Sequence, residues 1–580
     1  MHHVLDPNKM VTFTIDGVSV TCPETKTILE AAAMIGVKIP VLCHHPDLKV
    51  RAICRLCVVE MKGQRKMKTA CSNEVWEGAE FITNSKSVRD ARRTILEMIL
   101  AEHPQDCLKC VRSGNCELQQ LARDFGIKEL PFEHKPKCLP IEDSNPSIVR
   151  DPSKCIKCTR CVEACQEVQS VGAINTSHRS GEFDIATAFD KKLEDSVCVY
   201  CGQCVAVCPV GALYEKDDTA KVWRALDNKE LHKVVQVAPA VRVALGEEFG
   251  MAAGSVATGK MVAALRRLGF DKVFDTDFAA DVTIMEEGHE LLERLSHGGT
   301  LPMITSCSPG WVNFIETFYP DLLGHLSTCK SPQQMFGALA KSYYPESAGI
   351  PAEKLHVTSI MPCTAKKAEC ARPEMNDSGY QDVDVVLTTR ELARMIKEAG
   401  LDLNTLPDEE FDAPLGISTG AAVIFGATGG VMEAALRTVY EVVTGKGLAN
   451  LDFVNVRGLV GIKEAEVDLD GTKVKVAIAS GLKNARQLLD KIREGKADYQ
   501  FIEIMSCPGG CIGGGGQPQG ATNATKEARM NGIYAADKAS ALRQSHKNPA
   551  VKALYDDFLS KPLGHKSHKL LHTHYTPREK

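Results

Sequence analysis

The sequence predicts a multidomain chain of mixed α+β and α/β class, and three observations carry that expectation. Its 580 residues, 44% hydrophobic and 25% charged, are more than one hydrophobic core serves well. Its 23 cysteines are clustered, most of them a few residues apart. From about residue 230 onward, strand-like apolar runs such as VVQVAPAVRVAL alternate with amphipathic helical runs such as GKMVAALRRLGF, the pattern of an α/β domain.

Composition excludes several classes of function. A net charge of -5 argues against a nucleic-acid or anionic-membrane surface, because phosphate binding demands a basic excess. The start, MHHVLDPNKMVTFTIDG, lacks a charged head followed by an apolar run. No later stretch has the length of a membrane span. A cytoplasmic protein is therefore expected, with small-molecule or protein partners. In a secreted chain so many cysteines would suggest disulfides. Spacing this close suits a shared metal better, since a disulfide needs particular Cα separations and side-chain directions.

Taken in order, residues 11–21 (VTFTIDGVSVT) alternate apolar and polar positions around Asp16-Gly17 and read as a β-hairpin. A helix is expected from about Thr27 to Ile35. Cys43, Cys54, Cys57 and Cys71 follow on loop-like sequence. Four thiolates suffice for a 2Fe-2S cluster, with structural zinc as the alternative. The pattern resembles the 2Fe-2S domain at the front of complex I large subunits and certain hydrogenases, which implies a β-grasp domain over residues 10–85. Residues 86–101 (KSVRDARRTILEMILA) have helical periodicity and lead into His103, Cys107, Cys110 and Cys116. Local chemistry allows zinc or a 4Fe-4S cluster here. Placed behind the first domain, the set resembles the His-ligated 4Fe-4S module of the same families, residues 86–126. A histidine in place of a thiolate makes such a cluster less negative and shifts its potential.

Cys155, Cys158, Cys161 and Cys165 form C-x2-C-x2-C-x3-C, and Cys198, Cys201, Cys204 and Cys208 repeat it, within a domain over residues 145–217. This is the bacterial ferredoxin signature, in which the fourth cysteine of each run ligates the other cluster. The first run ends in Gln166 where the second has Pro209, and the insert, residues 166–197, is longer than in a minimal ferredoxin. One metal is staple enough for a small domain. One 2Fe-2S and three 4Fe-4S clusters therefore read as an electron conductor, which must deliver to something in residues 230–580.

That region holds three separated cysteine motifs: TSCSPGW (Thr305–Trp311), MPCTAKK (Met361–Lys367) and EIMSCPGGCIGGGG (Glu503–Gly516). To serve one site they must converge, and the glycines 513–516 would let backbone approach a bulky cofactor. With these motifs the chain resembles the FeFe hydrogenases over essentially its whole length. The resemblance implies reversible reduction of protons to dihydrogen at an H-cluster, a 4Fe-4S cube joined through a cysteine sulfur to a diiron unit with carbonyl, cyanide and dithiolate ligands. It implies that Cys363, Cys507 and Cys511 ligate the cube, Cys511 bridging to the diiron unit. Lys366 would hydrogen-bond a cyanide, and Met361 and Met505 would pack against the diiron site. A dry pocket and a buried cation suit that chemistry. The implied proton relay runs over Cys307, Glu287, Ser327, Glu290 and Arg294. Glu287, Glu290 and Arg294 fall at i, i+3 and i+7, on one helical face.

One departure stands out. Many relatives carry two adjacent cysteines in the first motif, the first relaying protons and the second ligating the cube; here the pair is Cys307-Ser308. Because a hydroxyl is a poor partner for iron beside thiolates, the expectation is that Cys307 supplies the fourth ligand after a small loop shift, with Ser308 or water taking over the relay. The electron partners implied are ferredoxin and/or flavin-containing NAD(P)-binding subunits, and the Cys307-Ser308 pair resembles the multisubunit branch. A hydrogen sensor would append signalling domains. Iron-sulfur assembly factors lack the complete second and third motifs, and a complex I or formate dehydrogenase large subunit would not carry MPCTAKK. Cys22, Cys138, Cys329 and Cys370 match no motif and are expected to be buried or inert. The segment Ile424–Leu436 lacks G-x-G-x-x-G and reads as helix-entry packing near the pocket.

Overall fold

The computed structural model describes residues 5–448, 450–469 and 472–579. The hairpin expected at the N-terminus is formed by β1 (Met10–Ile15) and β2 (Val18–Pro23), paired antiparallel with Ile15 opposite Val18. Its turn places Asp16 at φ 49° and Gly17 at φ 83°, the two left-handed residues that a tight hairpin requires. α1 (Ile28–Met34) starts at Thr27, whose hydroxyl accepts the Glu30 amide while the Glu30 carboxylate accepts the Thr27 amide, a capping box. Three short strands, β3 (Val58–Met61), β4 (Lys68–Thr69) and β5 (Glu80–Ile82), complete a sheet of order β2-β1-β5-β3-β4. They border the cysteine-bearing segments that read as loop. They are too short to show alternation; β5 pairs with β1 of the hairpin, and β3 and β4 extend the sheet from it.

α2 (Lys86–Glu102) buries Val88, Arg92, Leu96 and Ala101 and links this sheet to the next module. In the ferredoxin-like region β6 (Ile148–Arg150), β7 (Asn175–Ser177), β8 (Asp184–Ala186) and β9 (Leu213–Glu215) form two antiparallel pairs, β6-β9 and β7-β8. The β7-β8 ribbon lies in the long insert between the two cysteine runs.

The large C-terminal region contains β10 (His232–Val237), β11 (Lys272–Asp275), β12 (Met303–Ile304), β13 (Leu355–Met361), β14 (Val385–Thr388), β15 (Ile462–Leu469), β16 (Thr472–Ser480) and β17 (Phe501–Met505). A four-stranded parallel sheet has the order β11-β10-β13-β14, and a second sheet runs β12-β17-β16-β15, with only β15 antiparallel. β10 stops at Val237 because Pro239 opens a 3-10 turn and proline has no amide for the ladder. The second and third cysteine motifs leave the C-terminal ends of β13 and β17, and the first follows β12. Open α/β sheets present such ends to their ligands. Among the described residues no helix is long and apolar enough to cross a membrane.

Candidate active site and electron relay

All 23 cysteines are free thiols, and the structure brings most of them together in groups. In the first domain Cys57 Sγ lies 3.3 Å from Cys71 Sγ, and Cys43 hydrogen-bonds Cys54. In the next module His103 is half-buried, and its Nδ1 is shielded from solvent without a hydrogen-bond partner. An orphaned buried ring nitrogen is what a metal would satisfy. Cys110 and Cys116 lie in electrostatic range of each other, and a Cβ on Gly211 would meet Cys110 Sγ at 2.6 Å.

Two small cavities mark the ferredoxin-like region. One, of about 30 Å³, is lined by Cys155, Cys158, Cys161 and Cys208. The other, of about 20 Å³, is lined by Cys165, Cys198, Cys201 and Cys204. The fourth cysteine of each run thus faces the other run's cavity, as crossed ligation requires.

The three C-terminal motifs converge on an apolar cavity of about 80 Å³. Cys307, Ser308, Met361, Cys363, Lys366, Met505, Cys507 and Cys511 all line it, together with Phe425 and Gln333. Burial pushes the Cys511 thiol up to about 12 and raises Cys363 and Cys507 too. Thiols so disposed ionise readily only when a cationic centre joins them, so the donor set suits an iron-sulfur cube. Lys366 lies in the first turn of a short helix, α3 (Ala365–Cys370). Its ammonium donates to Glu369 Oε2 (2.8 Å) and to the Cys307 carbonyl (3.2 Å). Gln333 Nε2 reaches the same Glu369 oxygen at 3.1 Å. Glu369 and Gln333 escaped the sequence reading; the i, i+3 spacing of Glu369 from a buried lysine was the signal available for the former.

Two kinds of packing flank the cavity. Toward the ferredoxin-like region, the Cys201–Gly202 loop is seated directly on the third motif. A Cβ on Gly515 would lie 2.5 Å from the Cys201 carbonyl oxygen, and one on Gly202 would lie 2.4 Å from Thr364 Oγ1. Thr364 donates to the Tyr200 carbonyl (2.7 Å), and Gln203 Nε2 donates to that of Gly513 (2.9 Å). The glycine run therefore makes room chiefly for protein backbone: Gly513 crowds Pro508, Gly514 crowds Pro362 and Gly515 crowds Cys201.

The 22-residue helix Thr276–His297, whose Thr276 and Ala280 line the cavity, carries Glu287, Glu290 and Arg294. The Ser327 hydroxyl donates to Glu290 Oε2 (2.8 Å), and Arg294 donates to Glu290 Oε1 (2.6 Å). Burial, reinforced by the neighbouring Glu290 charge, raises the Glu287 carboxyl to about 8. Glu287 is thus protonated at neutral pH and in hydrogen-bonding contact with Ser327. Glu287, Ser327, Glu290 and Arg294 form a continuous row leading to a partly exposed guanidinium.

The unassigned cysteines differ among themselves. Cys22 is fully buried in the first core and Cys138 is exposed, while Cys370 is half-buried. Cys329 lies 3.8 Å from Glu290 Oε2. Phe425 of the segment Ile424–Leu436 lines the cavity, and the helix Gly430–Thr444 receives the Glu503 carboxylate at its start, from the amides of Gly429 (2.6 Å) and Met432 (2.8 Å). A protein carboxylate occupies the place a phosphate would take.

Five family descriptions match the chain in series. They are the 2Fe-2S iron-sulfur cluster binding domain (residues 8–86), the NADH-ubiquinone oxidoreductase-G iron-sulfur binding region (92–131) and the NADH-quinone oxidoreductase subunit 3 ferredoxin-like domain (145–214). The iron only hydrogenase large subunit, C-terminal domain (231–515) and the iron hydrogenase small subunit (523–578) follow. The NADP-reducing hydrogenase subunit HndD of Solidesulfovibrio fructosivorans is 52% identical over 98% of this chain and 100% of its own. Iron hydrogenase 1 of Clostridium pasteurianum is 39% identical over 98% of this chain and 100% of its own. Among solved structures, a variant of apo [FeFe]-hydrogenase HydA1 from Chlamydomonas reinhardtii is 45% identical, with a TM-score of 0.56, over 62% of this chain and 99% of that one.

Proposed function

Since the chain belongs to the FeFe hydrogenase family, an oxidoreductase family with an iron-sulfur electron relay, we propose that it interconverts protons and dihydrogen at an H-cluster fed by one 2Fe-2S and three 4Fe-4S clusters. The observation that carries this reading is the convergence of Cys363, Cys507, Cys511 and Lys366 on one apolar cavity with the Cys201 loop against its wall.

In this reading Cys43, Cys54, Cys57 and Cys71 hold the 2Fe-2S cluster, and His103, Cys107, Cys110 and Cys116 the first 4Fe-4S cluster. Cys155, Cys158, Cys161 and Cys208 hold the second, and Cys165, Cys198, Cys201 and Cys204 the third. Cys363, Cys507 and Cys511 would hold the cube of the H-cluster. When bound, the H-cluster supplies the redox chemistry that joins two electrons to two protons. The protein does the rest. Lys366, held by Glu369, presents a buried positive charge to a cyanide ligand; Met361 and Met505 keep water out. Glu287 carries a proton at its carboxyl, and Ser327 passes charge between it and Glu290, whose partner Arg294 is the outer terminus. A buried carboxyl raised to about 8 is suited to both giving and taking a proton near neutrality.

The electron partner is a flavin-containing NAD(P)-binding subunit, with ferredoxin as the other acceptor. Full-length 52% similarity to a protein described as an NADP-reducing hydrogenase subunit supports the multisubunit role. The free thiols suit a reducing cytoplasm. The test is hydrogen evolution from reduced methyl viologen by anaerobically made, cofactor-matured chain, with an infrared spectrum. Activity with carbonyl and cyanide bands supports the reading. Iron-loaded, maturase-exposed protein with neither overturns it. Copurification of a flavoprotein and hydrogen-dependent NADP reduction test the partner.

A further inference from the structure

The chain offers three thiolates at the cube, Cys363, Cys507 and Cys511, and an adjacent pair, Cys307 and Ser308, for the fourth position. Exchanging those two places requires the loop to slip by one residue, and the loop is pinned along its length. The Thr305 amide donates to the Ile502 carbonyl (3.0 Å), and Thr305 Oγ1 accepts the Ile504 amide (3.2 Å). The Ser306 hydroxyl donates to the Cys329 carbonyl (2.7 Å), and Lys366 donates to that of Cys307. The Ser308 carbonyl accepts the Trp311 amide (2.9 Å), and the indole Nε1 of fully buried Trp311 donates back to the Thr305 carbonyl (3.0 Å). A slip breaks these bonds together and leaves buried polar groups unpaired, each costly in the interior.

In the register so fixed, both side chains line the cavity, and that of Ser308 is bonded to the segment that carries Cys507. Ser308 Oγ lies 2.8 Å from Ser506 Oγ and accepts the Ser506 amide at 3.2 Å, which puts it beside Cys507. A Cβ on the next-but-one residue, Gly310, would meet Ser506 Oγ at 2.8 Å and Cys201 Cβ at 3.5 Å. Ser308 therefore stands on the wall through which electrons arrive. Cys307 instead packs with Cys511 against the apolar cluster containing Ile284 of the helix that carries Glu287.

We propose that Ser308 Oγ, and not Cys307, takes the fourth iron of the cube. This rests on the hydrogenase reading and reverses the ligand choice expected from donor softness alone. Ligation is an exchange without electron transfer. The Fe–O bond to Ser308 forms, the bond from that iron to the thiolate of the delivering carrier breaks, and the serine proton leaves on the carrier's sulfur. Ser506 stays as a hydrogen-bond donor to the serine oxygen.

The experiment uses the full chain produced without diiron maturation, so that the cube is present alone, and compares it with S308C and C307A. Iron content, the midpoint potential of the cube and variant-minus-parent EPR difference spectra are read; the accessory clusters cancel in the difference. The expected result is a changed EPR pattern and a shifted midpoint in S308C, with slower iron loss to a chelator, and an unchanged cube in C307A. A C307A cube with altered EPR or missing iron overturns the proposal. So does S308C indistinguishable from the parent. Hydrogen evolution by the matured parent tests the hydrogenase reading separately, since none of these readouts depends on activity.

Discussion

The two flanks of the pocket that the proposed function assigns to electrons and to protons are built from different materials. Where the Cys201 loop meets the third motif, chains pack at backbone distance, with glycines at Gly202 and Gly515 where any side chain would collide and only single side-chain-to-carbonyl bonds from Thr364 and Gln203 beside them. Where the helix bearing Glu287 meets Ser327, contact is side chain to side chain, through hydroxyl, carboxyl and guanidinium. The contrast follows from what is carried. An electron crosses packed matter and is served by proximity alone. A proton needs donors and acceptors in unbroken sequence, with affinities near the working pH.

The comparison can be broken most severely at Glu287. Glu287→Gln keeps the shape and loses the titrating group, so hydrogen evolution should fall by about 10²–10⁴-fold, the usual worth of a positioned acid or base, with iron content and accessory-cluster reduction unchanged. A matching loss of cluster reduction would erase the distinction between the two sides. Ser327→Ala removes the bridge between the two glutamates; a loss worth about 1–3 kcal/mol corresponds to roughly 10–100-fold in rate, measured as gas evolution at saturating reductant. On the electron side, Gly515→Ala should destabilise the domain contact by about 1–3 kcal/mol, as overpacking does, lowering Tm. It should also slow cavity-site reduction in stopped-flow without shifting the pH profile.

The smallest effect is a displacement in pH. Burial first, and the Glu290 charge second, hold Glu287 at about 8. It is protonated below that value, so hydrogen evolution should be level up to about pH 8 and decline above. Glu290→Gln removes a like charge, lowers the Glu287 pKa, and should bring the declining limb to lower pH as well as reducing the maximum. A limb that stays in place would mean that another group controls proton supply.

What the sequence made legible was the part of the molecule governed by local spacing. The doubled C-x2-C-x2-C-x3-C run carries a known crossed ligation, so the grouping of Cys165 with Cys198, Cys201 and Cys204 could be anticipated, and a cavity lined by those four is found. The hairpin around Asp16-Gly17 and the capped start at Thr27 were local too. Hidden features depended on segments far apart in the chain: the seat of Cys201 on Gly515, the Glu503 carboxylate at the helix start near Gly430, and Gln333 reaching Glu369. Cys307 and Ser308 lie between these cases. Their identities are plain, while their roles depend on a loop register that hydrogen bonds to three distant segments decide.

The most direct test of a pocket with separate entrances is infrared spectroscopy of the matured Glu287→Gln variant during stepwise reduction, with gas evolution measured on the same sample. The account predicts that the carbonyl and cyanide bands shift on reduction as in the parent while hydrogen production is lost. Hydrogen production within about twofold of the parent, a change of only about 0.4 kcal/mol in barrier, would contradict it, as would bands that no longer respond to reductant.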